Sequence, residues 1–170
     1  RHPVGFLTDN LKVSHFKVDD LVLANIKARM RMTTLYAVAG SNNYLVAGTG
    51  NKSELTIGYF TKFGDGGVDL EQLGNYYKRE VYKMAEEMSE IPESIKTKAP
   101  SADLWEGQTD EEDLGMSYDR LDIIISKMEP YYTWHKVYEE SIDNITEEEF
   151  EKVRSMIMKS VHKNELPPRY

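Results

Sequence analysis

Apolar residues recur at helical spacing along several stretches of this chain, and glycine, proline and capping residues divide one stretch from the next. Leu21, Leu23, Ala24, Ala28, Leu35 and Val38 follow the cap-forming Val18-Asp19-Asp20, which predicts a helix from about Asp20 to Val38. Gly40-Ser41-Asn42-Asn43 then reads as a turn, and Tyr44 to Gly48 as a short buried strand. A helix is expected from near Asn51, fading before Tyr59. The glycines at 64, 66 and 67 predict a flexible, lid-like loop. Leu73 to Met88 sets Tyr77, Val81, Met84, Ala85 and Met88 on one helical face ahead of Pro92. From Ile91 to Tyr118, short helical turns alternate with Pro100, Gly107 and Gly115, the pattern of a ligand-facing connection. Tyr118 to Met128 and Tyr131 to Tyr138 read as short helices separated by Pro130. Thr146 with Glu149 three residues on is a capping box, opening a helix through Met158 towards Lys163. Residues 1–17 show no period and stay unassigned.

Only the segment ending at Gly48 is a strong strand, too little for a free-standing α/β sheet. Part of the sheet is therefore expected to lie elsewhere. Composition sets the outer limits. With 170 residues, 40% of them hydrophobic and 11% aromatic, the chain can build the core of one domain. Lys and Arg number 21 against 29 Asp and Glu, and the resulting charge of -8 argues against a general nucleic-acid binder, whose affinity needs clustered cations. Any anionic ligand must be held locally. The absence of cysteine excludes disulfides, thiolate zinc sites and cysteine nucleophiles, and fits a cytoplasmic setting. No apolar stretch approaches a membrane span and no signal-peptide pattern opens the chain, so it is expected to be soluble with no membrane partner. It begins on Arg1 without a methionine, which leaves open whether it is whole, processed or a fragment.

The candidate chemistry gathers where the strand ends. An apolar run closing in Gly48-Thr49-Gly50-Asn51 places a strand's carboxyl end against a helix start, where open α/β sheets hold ligands. Thr49 and Glu54 then sit before and within one helical turn, a hydroxyl and a carboxylate suited to phosphate and a divalent metal. Spacing alone favours the plainer reading, with Thr49 a cap and Glu54 a solvated side chain. Arg29 and Arg31 are two apart on a helix and point in different directions. Gly64-Asp65-Gly66-Gly67 taken alone is an ordinary turn, Lys78 an exposed helical lysine, and Ser101 a helix cap. His162 and Lys163 complement a helix dipole. His2, His15, His135 and His162 lack zinc-ligand spacing, while Asp110 to Asp113 and Glu147 to Glu151 read as solvated acidic faces. The Tyr131-Tyr132-Thr133-Trp134 cluster reads as packing.

Several of these words together carry a resemblance. Ala28-Arg29-Met30-Arg31-Met32, Gly48-Thr49-Gly50-Asn51-Lys52-Ser53-Glu54, Phe60-Thr61-Lys62-Phe63-Gly64-Asp65-Gly66-Gly67-Val68-Asp69, Lys98-Ala99-Pro100-Ser101-Ala102-Asp103 and Leu114-Gly115-Met116-Ser117-Tyr118-Asp119 resemble the ammonia-dependent NAD+ synthetases. The likeness runs from about Asn25 to Lys163. It implies an α/β fold, part of a doubly wound parallel sheet of the adenine-nucleotide α-hydrolase-like type, mostly helical in this portion. It also implies one domain over 1–170, the later part of a larger synthetase domain. By the same resemblance ATP contacts Thr49, Lys78 and Ser101, magnesium contacts Glu54, and deamido-NAD contacts Arg29, Lys62, Asp69, His162 and Lys163. Arg31 is left free. The implied reaction is amidation of deamido-NAD with ammonia through an adenylated intermediate, giving NAD+, AMP and pyrophosphate, in a homodimer. The family's Ser-Gly-Gly-x-Asp-Ser loop has no match in residues 1–24. A non-catalytic dinucleotide-binding or dimerisation module is therefore the alternative. Without cysteine there is no amidase nucleophile, so ammonia is expected free or from another chain.

Overall fold

The computed structural model describes residues 19–102, 107–128 and 145–169. The expected helix at Tyr131 to Tyr138, the Tyr131–Trp134 cluster, Asp103, residues 1–17 and the histidines other than His162 lie outside them.

Helix α1 spans Asp20–Asn42, and Asp19 caps it by accepting the Val22 N–H at 2.8 Å. It runs into the predicted turn as far as Asn42. Ser41 and Asn42 donate their side chains to the carbonyls of Ala37 and Val38, both at 2.8 Å, so residues with turn chemistry bond back along the helix instead of ending it. Asn43, at φ 56°, makes the stop. The buried positions of α1 are alanines, Ala24, Ala28 and Ala39, whereas Leu21, Leu35 and Val38 are more than half exposed at 59%, 54% and 56%.

The strand is shorter than predicted, because Tyr44 and Leu45 stand out in solvent. Strand β1 is Ala47–Gly48, and it pairs in parallel with a strand the sequence did not announce, β2, Leu70–Glu71. Ala47 faces Leu70 and Gly48 faces Glu71. Asp69 extends the pairing: its N–H donates to the Val46 carbonyl at 2.9 Å and its Oδ2 accepts the Val46 N–H at 2.7 Å.

Helix α2 is Lys52–Ile57, capped by Asn51 and ended by Gly58 at φ 71°. The predicted Leu73–Met88 helix begins five residues later, as α3, Lys78–Glu87. Residues 72–76 turn instead, and the Tyr76 carbonyl accepts the Lys52 N–H at 2.9 Å, which ties that turn to the start of α2. Then come α4, Glu93–Lys96; α5, Asp110–Leu114; α6, Tyr118–Met128; and α7, Glu147–Asn164. Thr146 and Glu149 form the expected capping box at the start of α7.

The core lies around α6. Leu121, Ile124, Ile125 and Met128 pack with Ile57 of α2, with Tyr77, and with Phe150 and Val153 of α7. Each such side chain contributes roughly 1.5–3 kcal/mol when fully buried. Arg120 adds a two-pronged bond to Glu149, Nε to Oε1 and Nη2 to Oε2, both at 2.8 Å, which fixes α6 against α7. This helical base carries α2 and α3 on its surface, and their first turns face the site.

Candidate functional site

The turn Gly48-Thr49-Gly50 is shaped by Glu71 on the neighbouring strand. The Glu71 carboxylate accepts the Gly50 N–H at 3.1 Å, and its Cδ would lie 2.5 Å from any Cβ at position 48. Gly48 is needed for this close approach. Burial pushes the Glu71 carboxyl above its usual range; the Gly50 bond opposes the shift, and Asp65 and Glu54 add to it.

Asn51, not Thr49, caps α2. Its side chain accepts the Glu54 N–H at 3.1 Å, and Glu54 Oε2 accepts the Asn51 N–H at 3.1 Å. That leaves Glu54 Oε1 facing Lys78 Nζ at 2.7 Å, with each side chain only about one sixth exposed. Glu54 is thus no solvated helix residue. Lys78 comes from the first turn of α3 and also lies over the Tyr118 ring, 5.0 Å from its centroid.

A cavity of about 710 Å³ opens between α1, the β1–α2 turn, the glycine loop and α5, a volume within the usual range for small-molecule sites. Thr49, Glu54, Lys78, Ser101 and Lys163 all line it, as does Arg31. Arg29, Lys62, Asp69 and His162 do not line it. Three of them are linked to one another. Arg29 Nε donates to the Lys62 carbonyl at 3.2 Å, and Lys62 Nζ donates to the His162 carbonyl. Lys163 Nζ donates to the carbonyls of Gly58 and Phe60, both at 2.7 Å, and burial holds its pKa below the usual value against the pull of Asp65. Both oxygens of Asp69 are engaged, Oδ2 by Val46 and Oδ1 by the Tyr36 hydroxyl at 3.0 Å.

Sequence reasoning passed over part of the lining. Asp110 and Asp113, read as a solvated acidic run, sit in the cavity wall. Asp110 is 3% exposed; it accepts the Tyr118 hydroxyl at 2.9 Å, and its other oxygen has no hydrogen-bond partner. Burial raises its pKa, and Tyr118 and Lys78 oppose that. Asp113 accepts the Tyr59 hydroxyl at 2.8 Å and the Gln108 amide at 2.6 Å. Burial and these carboxylates hold both tyrosines in the protonated form, far above the ordinary phenol value. Tyr118, eight residues past Asp110 at the start of a helix, was the available signal.

A divalent metal would reach Glu54 only by sharing or displacing the Lys78 contact on Oε1, since Oε2 is held by Asn51. Among the described residues no group of three metal-ligating side chains converges. Glu54 on the cavity wall and the unpartnered oxygen of Asp110 nonetheless supply the hard oxygens that magnesium takes when water and phosphate complete its shell.

Residues 4–167 match the family described as NAD synthase. The NH(3)-dependent NAD(+) synthetase of Carboxydothermus hydrogenoformans is 56% identical over 121 residues, 71% of this chain and 49% of that protein. That of Archaeoglobus fulgidus is 48% identical over 145 residues, 85% of this chain and 54% of that one. Among solved structures, NMN synthetase from Francisella tularensis superposes with a TM-score of 0.80 at 32% identity, covering 98% of this chain and 61% of its own. The NH3-dependent NAD synthetase from Campylobacter jejuni, in complex with nitrate ion, gives 0.68 at 24% over 98% and 63%, a likeness of fold. The chain spans about half the length of the curated relatives it matches. A mostly helical α/β fold with a small parallel sheet, these neighbours and the match along nearly the whole sequence agree: the chain belongs to the NAD synthase family.

Proposed function

We propose that the protein carrying this chain is an ammonia-dependent NAD+ synthetase, and that this chain is the later part of its synthetase domain. One observation carries the reading: Thr49, Glu54, Lys78 and Ser101, matched to ATP and magnesium contacts by their sequence words, share one cavity. The nicotinate carboxylate of deamido-NAD attacks the α-phosphate of ATP and expels pyrophosphate; ammonia then attacks the acyl-adenylate carbon, AMP leaves, and a proton is released. Magnesium, when bound, neutralises phosphate charge. Glu54 would hold it, with the free oxygen of Asp110 within the same wall. Lys78 offsets phosphate charge, Thr49 and Ser101 orient ATP, and Lys163 in the cavity wall holds the dinucleotide together with Arg29, Lys62, Asp69 and His162 outside it. Catalysis is then positioning and charge neutralisation. Among the described residues no helix is long and apolar enough to cross a membrane; the cytoplasm is proposed as the site of work on the sequence reading alone.

The agreement of fold with an NMN synthetase favours a second reading, in which the acid of a mononucleotide is amidated. Product analysis separates the two. The protein is supplied with ATP, magnesium and ammonia, and with either deamido-NAD or nicotinate mononucleotide. NAD+ and AMP should form in equal amounts, and only when every component is present. Turnover of the mononucleotide alone would establish the second reading, and dinucleotide binding without AMP would leave a non-catalytic module.

A further inference from the structure

Asp122 lies in the middle of α6 and is fully buried, at 0% exposure, between Leu121 and the core isoleucines. A carboxylate there is costly unless strong donors meet it. Each of its oxygens meets one. Oδ1 accepts the Ser53 hydroxyl, and Oδ2 accepts the Arg79 N–H at 3.0 Å. Ser53, also at 0% exposure, accepts in turn the Lys78 N–H at 2.9 Å. The first N–H groups of a helix have no partner within it. In α3 those of Lys78 and Arg79 are therefore served from α2 and α6.

One carboxylate thus pins two helix starts together. Ser53 is next to Glu54, and the lysine whose backbone it holds closes the 2.7 Å pair with Glu54 Oε1. We infer that Asp122 is a positioning residue for the Glu54–Lys78 pair, acting through Ser53 and the α3 backbone without touching a substrate. The inference rests on the synthetase reading for what that pair does, but the pair itself is a feature of the fold. A group of Asp122's size without the charge would fill the same space and hold the two helix starts less firmly.

The experiment compares Asp122→Asn, Ser53→Ala and their double variant with Val153→Ala, a core truncation in α7 at a residue of 0% exposure. Asp122→Asn should fold, raise the magnesium concentration for half-maximal rate by about tenfold, and lower kcat by roughly a hundredfold. KM for deamido-NAD should not change. The double variant should be no worse than Asp122→Asn, since both residues act along one path. Val153→Ala should lose thermal stability with unchanged magnesium dependence. A crystal structure of Asp122→Asn gives a readout free of activity: Glu54 Oε1 and Lys78 Nζ should part beyond about 4 Å. An intact pair with wild-type magnesium dependence would overturn the inference, as would Val153→Ala matching the kinetics of Asp122→Asn. If the wild type itself makes no NAD+, the synthetase reading fails, and the crystal structure alone decides the role of Asp122.

Discussion

Glu54 has two tasks, and they separate chemically. Its Oε2 closes the capping box with Asn51, a task glutamine also performs, whereas its Oε1 meets Lys78 as a charge. Glu54→Gln should therefore cost only about 1 kcal/mol in thermal unfolding while AMP formation drops by on the order of a hundredfold. Full activity in that variant would remove Glu54 from the metal role. Glu149 gives a prediction in pH. Arg120 and the Thr146 cap hold its pKa down, from 4.5 to about 2. A depressed carboxylate contributes stability above its unfolded value and loses it as pH falls through the folded one. The difference in melting temperature between wild type and Glu149→Gln should thus be full above pH 4.5 and shrink towards pH 2. A constant difference would show that the charge contributes nothing. At this scale the sequence announced Glu54 and Lys78 through their neighbouring words. It hid Asp110, which is buried against a tyrosine eight residues on, and the bond that the exposed Asp113 accepts from Tyr59, 54 residues back. An acidic run looks solvated until such partners are known.

Among the elements, those with local start signals were legible. Asp19 opens α1 and Thr146–Glu149 opens α7, because caps are encoded by side chains a few residues apart. Strand β2 has only two residues and no pattern of its own; it exists because β1 offers it a parallel partner. The late start of α3 has a similar origin. The helical spacing of Leu73 and Tyr77 is real, but the Tyr76 carbonyl bonds to Lys52 and Tyr77 buries its ring in the core, so the chain turns there. The β1–β2 contact is testable at Gly48. Gly48→Ala drives a methyl into the Glu71 carboxylate and should destabilise by about 1–3 kcal/mol in urea. Adding Glu71→Ala should recover most of that loss. A double variant as unstable as Gly48→Ala would show that the close approach is not its cause.

For the molecule as a whole, the helical base and the surface of α1 point in different directions. The core around α6 accounts for Ile57, Phe150 and Val153, but not for Leu21, Leu35 and Val38, which remain exposed along α1. Leu21 and Leu35 line the cavity, which leaves Val38 as the exposed residue of this row outside it; the homodimer that the sequence resemblance implies is a separate expectation. Sedimentation of the protein should give twice the monomer mass, and Val38→Glu should lower it to one if α1 forms the contact; a monomeric wild type would refute the assembly. The family was legible in its words, and several of them, Gly48 to Glu54, Phe60 to Val68 and Ser101 with Ala102, contribute residues to the cavity wall. The cavity was not, since it forms only when α1, the glycine loop and α5 close around the β1–α2 turn. The most direct test of the account is a crystal structure of the protein with ATP and magnesium. It should place the triphosphate in hydrogen-bond contact with Thr49 and Lys78, and the metal on Glu54. A triphosphate bound outside this cavity would contradict the assignment.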